Sequence, residues 1–237
     1  MNTLIASPTR FPSIAVAALA AVTVAAFART YYFRVLSDLP PLTQAAHIHG
    51  IISTLWLALH FTQARLIAAH RVALHKRLGI FTASVGVVLA VQAFQLAVHG
   101  VAAGRAPPGR NPLEFLSVPM GTITMFALFV ATALVLRRRR EWHKRFMLLA
   151  SMALLIPAAG RLDSMIMVPL GLPRAIIGFW LTFAFVAWAW ANDWRKLGRI
   201  HPAYLIGGIA LLISVPLRRS IGFTDAWLPV AHWLIGQ

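Results

Sequence analysis

Residues Gln44–Gln63, QAAHIHGIISTLWLALHFTQ, decide how this chain is read. Twenty residues without Asp, Glu, Lys or Arg are enough to carry a helix across a bilayer's hydrocarbon core of about 30 Å. The same stretch holds His47, His49 and His60, and imidazole is costly in hydrocarbon unless it has a partner or a task. At 100° per residue, His49, Ser53, Trp56, His60 and Gln63 fall on one face, a polar stripe on an apolar rod. His47 precedes His49 by two residues and so points to nearly the opposite side.

The rest of the chain extends that reading. Of 237 residues, 59% are hydrophobic and 12% charged, with a mean hydropathy of +0.73. Soluble domains carry about 25% charged residues, so the composition is that of an integral membrane protein. Seven apolar segments emerge, near Pro12–Ala28, Thr43–His70, Leu78–Gly100, Leu113–Leu136, Phe146–Leu170, Arg174–Asn192 and Ala203–Leu217. The expected fold is all-α, a polytopic membrane helix bundle forming a single domain over residues 1–237. It has seven transmembrane helices, or six if the first is a cleaved signal. The first segment imitates such a signal, with Arg10 ahead of it and Ala26-Phe27-Ala28 as an A-x-A site. Its length, and the interfacial cluster Tyr31-Tyr32-Phe33, favour a retained helix. The tail, 218–237, holds Trp227, Pro229 and Trp233 and is expected to lie along the interface.

The formal charge of +16 is the wrong signal for nucleic acid here, because Lys and Arg cluster between apolar runs. Arg71, Lys76 and Arg77 follow the second segment, Arg137–Arg140 with Lys144 and Arg145 the fourth, and Arg195, Lys196 and Arg199 the sixth. The intervening connections carry fewer: Arg29 and Arg34, Arg105 and Arg110, then Arg174. The positive-inside rule places the richer set in the cytoplasm, with the amino terminus in and the carboxyl terminus out. Trp142, Trp190 and Trp194 fit an aromatic belt at that inner interface. The implied setting is multi-pass, in a bacterial inner membrane, with the lipid bilayer as the constant partner and a homo-oligomer or larger membrane complex as possible company. No cysteine is present, which excludes disulfides, thiolate metal sites and Cys nucleophiles. No nucleophile elbow or phosphate loop occurs, and no Lys lies within a span to carry a retinal Schiff base. Whether the chain is an enzyme stays open.

Depth along each helix sorts the polar residues. At 1.5 Å per residue, His49 lies about 10 Å outward of its helix centre and His60 about 6 Å inward. In the third segment Gln92, Gln95 and His99 form another stripe, with Gln95 about 9 Å and His99 about 15 Å outward. In the fifth, Arg161 and Asp163 fall about 4 and 8 Å outward, where charges need partners or water. They are two residues apart and so face opposite ways. Pro157 can kink this helix, and the alternative is an end near Gly160 that leaves both charges at an outer mouth.

Three chemistries use such a layer. His47, His49, His99 and Asp163 form a candidate metal ligand set, with Gln95 behind them, because neutral imidazole and carboxylate suit Zn, Fe, Mn or Cu. His49, His60 and Arg161 form a candidate haem b site, with His as axial ligand. His60, Gln63, His49 and Asp163 form a proton path for a coupled transporter. The blander expectations are that His60 bonds a neighbouring carbonyl and that Gln92 and Gln95 are interhelical glue. His70, His75, His143 and His201 would snorkel at the cytoplasmic interface, and Glu114 would favour a helix N-terminus.

His75-Lys76-Arg77-Leu78 and His143-Lys144-Arg145-Phe146 form a weak repeat, each opening an outward-running helix, with Gly198-Arg199-Ile200-His201-Pro202 in the equivalent third place. Together with His47-Ile48-His49-Gly50, Gly79, Met147-Leu148-Leu149-Ala150 and Pro157 followed by Arg161, these motifs resemble a group of uncharacterised bacterial multi-span proteins from Tyr31 to Leu217. The chain is more distantly similar to small His-bearing membrane proteins implicated in haem–copper oxidase assembly. The resemblance implies that these His and Arg positions belong to a shared pattern, and it implies no reaction. The leading expectation is therefore an inner-membrane protein that holds a metal ion or haem in its outer leaflet for redox or cofactor handling. A proton-coupled transporter and a non-catalytic accessory subunit are the alternatives.

Overall fold

Turn chemistry delimits the helices. Thr43 caps one by accepting from the Ala46 N–H at 3.3 Å, and Asn111 caps another through the Leu113 N–H at 2.9 Å, with Pro112 in the first turn. His201 caps a third, its Nδ1 accepting from the Ala203 N–H at 3.1 Å ahead of Pro202. Gly198, at φ +65°, and His70, at φ +57°, end helices in the left-handed conformation.

The computed structural model describes residues 10–172 and 176–236. Its helices are α1 (Phe11–Phe27), α2 (Gln44–Ala68), α3 (Val72–Ala102), α4 (Pro112–Val135), α5 (Arg140–Ala153), α6 (Leu155–Leu162), α7 (Ile176–Leu197), α8 (Pro202–Gly222) and α9 (Trp227–Leu234). Five-residue π-helical turns extend α1 through Ala28–Tyr32 and α6 through Asp163–Met167. Among the described residues seven helical segments are long and apolar enough to cross a membrane, α5 and α6 together supplying the fifth.

That fifth span is the axis of the bundle. Of its most apolar stretch, 61% is buried within the protein, against 39% or less for every other span. α1, α2, α3, α4, α8 and α7 pack side by side in that order, and α6 bridges α7 back to α1. Lipid offers no hydrophobic drive between helices, so close fit carries the packing. Small residues make it possible: a Cβ on Gly86 of α3 would stand 2.8 Å from the Trp56 ring, and one on Gly208 of α8 would stand 2.9 Å from Val186 of α7. Trp56 is fully buried and meets Phe126 edge-on at 5.0 Å.

The turns α2–α3, α4–α5 and α7–α8 share one end of the bundle, here the basic end; the connections between α1 and α2, α3 and α4, and α6 and α7 share the far end. Some boundaries differ from expectation. α3 begins at Val72 and α5 at Arg140, ahead of the expected spans, so both tetrapeptides that open these helices lie wholly within them. The fifth span runs past Gly160 to Met167, against the alternative end near Gly160, and keeps Arg161 and Asp163 inside it. α8 continues five residues beyond Leu217, which takes Arg218 and Arg219 out of the tail and into the bundle. The expected start of the sixth span at Arg174 lies outside the described residues.

Candidate functional site

The outer layer read from helix depth does not assemble as a ligand set. His47 is exposed, its carbonyl accepting from the Tyr31 hydroxyl at 3.2 Å and its ring centroid 5.7 Å from that of Tyr31. His99 is exposed as well, and its Nδ1–H donates to the Gln95 carbonyl of its own helix at 2.8 Å. Asp163 is buried, accepting from the Ile177 N–H of α7 at 3.2 Å. His49 is half-buried, 3.4 Å from the Ser53 hydroxyl through Nε2, with Nδ1 buried and unpartnered. Among the described residues no three His, Asp or Glu side chains gather to hold a metal ion. Equal depth was the wrong criterion, because rotation about each helix axis sends these four side chains in different directions.

Two of the candidate haem residues, His60 and Arg161, are otherwise occupied. Ser151 of α5 accepts from the Trp56 indole N–H at 3.2 Å and shares a second hydrogen bond with His60 Nδ1 at 2.7 Å. His60 is therefore engaged in a core hydrogen bond, close to the bland expectation though to a hydroxyl rather than a carbonyl. Arg161 lies over the Phe27 ring at 3.8 Å, and it bonds the Thr30 hydroxyl at 3.3 Å and the Pro157 carbonyl at 3.1 Å. It ties α6 to α1, while Asp163 ties the following turn to α7, the opposite facing expected of residues two apart.

What the far end does contain is a cavity of about 420 Å³, within the range of small-molecule sites. It opens where α4, the α5–α6 span and α8 lose helical hydrogen bonds at Pro119, Pro157 and Pro216. Phe115, Val118, Ile156, Val215 and Phe223 give it an apolar wall. Among the described residues, Arg110, Arg161, Arg218 and Arg219 also line it with Glu114 and Asp163, so four guanidiniums face two carboxylates. Among the described residues none of the four lies within 4 Å of a carboxylate oxygen.

Arg218 is the most constrained of them. Only 3% exposed, it donates from Nε to the Ser214 carbonyl at 2.9 Å, from Nη1 to the Thr122 hydroxyl at 2.7 Å and from Nη2 to the Ser214 hydroxyl at 2.6 Å. Gly121 makes the room, since a Cβ there would stand 2.9 Å from Arg218 Cβ and 3.3 Å from its Nε. A guanidinium carries five N–H donors, so three bonds leave two unspent, one on each terminal nitrogen. The sequence signal was present: Ser214 and Arg218 at i, i+4, directly after an apolar run. It was missed because the run was ended at Leu217.

At the basic end the buried arginine is built oppositely, with its charge cancelled. Arg145 of α5 is 3% exposed and holds Asp193 of α7 through Nε–Oδ2 at 2.8 Å and Nη2–Oδ1 at 2.7 Å, and Glu141 through Nη1–Oε2 at 2.5 Å. Its guanidinium lies 5.2 Å from the centre of the Tyr204 ring of α8. Asp193 Oδ2 also accepts the His201 N–H at 3.2 Å, and His201 meets Trp142 edge-on at 5.2 Å. Burial, and secondarily Arg145, lower the His201 pKa below its ordinary 6.5.

No family model matches the chain, and neither a curated protein nor a solved structure is similar to it.

Proposed function

We propose that this protein is a multi-pass carrier of the bacterial inner membrane that takes an amphipathic organic anion, a carboxylate or phosphate monoester on an apolar body, into its far-end cavity. The observation that carries this reading is Arg218, a buried cation whose partners are all neutral and whose two remaining N–H groups match the fork of a carboxylate or phosphate. A charge at such depth is stabilised by a counter-ion or an aqueous cavity, and the wall around it has a surplus of two positive charges. The apolar side of the same cavity suits the ligand's body. The basic end, placed in the cytoplasm by its arginines, is closed by the Arg145–Asp193–Glu141 network, an arrangement suited to a cavity reached from the outer side. Metal and haem chemistry loses its support, since the proposed metal donors point apart and His60 is committed to Ser151.

Calorimetry of the purified full chain in nanodiscs, titrated with decanoate and with octyl phosphate, tests the reading. Saturable binding is expected, weakened at least tenfold by Arg218→Gln and by Gly121→Leu, which keeps the charge but displaces the side chain. Arg77→Gln, at the basic end, leaves it unchanged. Absence of saturable binding, or binding indifferent to both far-end variants, overturns the proposal.

A further inference from the structure

The two matching tetrapeptides meet in space. His75, in the first turn of α3, and His143, in the first turn of α5, have ring centroids 6.4 Å apart at 79°. His143 Nδ1 lies 2.8 Å from the carbonyl of Ala133, in the last turn of α4. A carbonyl only accepts, so Nδ1 carries the proton and the Nε2 lone pair is free. The same bond places the ring at the carbonyl end of α4. His75 Nδ1 is buried without a partner. One turn from His60, Gln63 donates to the Thr82 hydroxyl at 3.0 Å, and its Oε1 is buried without a partner as well.

From this geometry we infer that His75 and His143 form a proton-binding site at the basic end of the bundle. One proton from the aqueous phase adds to an imidazole lone pair, taking the pair from charge 0 to +1, and no bond in the chain breaks. The second ring shares the proton through one bridging water molecule between the two rings, whose centroids are 6.4 Å apart. Burial of His75 works against a charge there, and the pair has Lys76 of α3, His60 of α2 and the Gln63 backbone of α2 around it. Glu141, two residues before His143, is bound to Lys144 and Arg145, so the bound proton is held by the α4 carbonyl end. Each half of the repeat supplies one ring, which accounts for the histidine at the head of both tetrapeptides where basic anchoring alone would need only Lys and Arg. The site is separate from the arginine cavity and requires nothing of it.

The test is the titration of ¹⁵N-histidine-labelled full chain in nanodiscs, each ring followed by its nitrogen shifts from pH 9 to pH 5. The expected result is that the two rings take up a proton as a coupled pair. His143→Gln, whose amide can keep the Ala133 bond, then moves the His75 midpoint by about one pH unit, and His75→Gln does the same to His143. His201 serves as an internal control and does not move in either variant. Independent midpoints, each indifferent to loss of the other ring, or two rings neutral down to pH 5, overturn the inference. If one variant fails to fold, the reciprocal one decides. Decanoate binding in the same samples reads the carrier proposal separately, so each can fail without the other.

Discussion

Removing Asp193 exposes how strongly the basic end depends on its buried ion pair. Arg145 and Asp193 are each 3% exposed at the side chain and share two charge-assisted bonds of 2.8 and 2.7 Å. In Asp193→Leu the guanidinium stays buried and keeps only Glu141, which is 53% exposed and gives partial compensation. Breaking one side of such a pair costs about 3–5 kcal/mol, chiefly as the penalty of an uncompensated buried charge. The His201 N–H loses its acceptor at the same time. For a chain of this size about 1 kcal/mol moves the melting temperature by roughly 2–4 °C, so a fall of roughly 6–20 °C is expected. The eight tryptophans report unfolding by intrinsic fluorescence in detergent. The decisive arm is the double variant Arg145→Met/Asp193→Leu. Replacing both ions with apolar side chains removes the desolvation cost together with the attraction, and such exchanges are neutral or stabilising by about 1–4 kcal/mol. The double variant should therefore recover most of the loss. If it melts as low as the single variant, the penalty does not come from an orphaned charge and the reasoning fails.

Other expectations follow from the same contacts. Gly86→Val drives a side chain into the Trp56 ring, which a Cβ alone would approach to 2.8 Å, and should lower thermal stability by about 1–3 kcal/mol; Gly160→Val, helical and with nothing within 4 Å of its Cβ, serves as the control for general glycine loss. His201 caps α8 as the neutral ring, and its folded pKa lies below the unfolded value. Its contribution is therefore complete above about pH 6.5 and is lost as pH falls through the lowered folded value, a slope that His201→Asn, still a cap, should flatten in melts recorded from pH 8 to pH 4. Since the chain has no cysteine, single Cys substitutions report sidedness directly. Arg138→Cys should react with an impermeant maleimide only in inside-out vesicles and Arg105→Cys only in intact spheroplasts; the reverse pattern would invert the topology. Ser151→Ala removes the hydroxyl shared by Trp56 and His60 and should cost about 1–3 kcal/mol, with Ser151→Thr closer to the parent chain.

Much of the architecture was legible because its signals are one-dimensional. A run of apolar residues long enough to span, a proline or glycine at its edge and a cluster of arginines beyond it depend only on position along the chain. Seven helices long and apolar enough to span are therefore found among the described residues, as hydropathy led one to expect, and Pro202, Thr43 and Asn111 open helices as their chemistry dictates. The opposite facing of Arg161 and Asp163 follows from the helical period in the same way. The boundaries were less legible. Arg218 looked like the start of an interfacial tail because charge ordinarily ends a span, yet Ser214 and Thr122 satisfy it inside the bundle.

Which residues meet is a different kind of fact. His49, His99 and Asp163 share a level, but His99 bonds its own helix and Asp163 turns to α7, because rotation about a helix axis is set by packing and leaves no trace in hydropathy. His60, unexplained by its stripe, acquires a reason only when α5 brings Ser151 beside it, ninety-one residues away in sequence. His75 and His143 read as two anchors at a lipid interface, and the convergence of α3 and α5 makes them neighbours. The sequence by itself determined the class of protein, the number of spans and the asymmetry of charge, all properties of single segments. The tertiary structure alone decided that His60 and Gln63 bond Ser151 and Thr82, and that Arg218 is buried among neutral partners, because those outcomes depend on how seven rods are turned against one another.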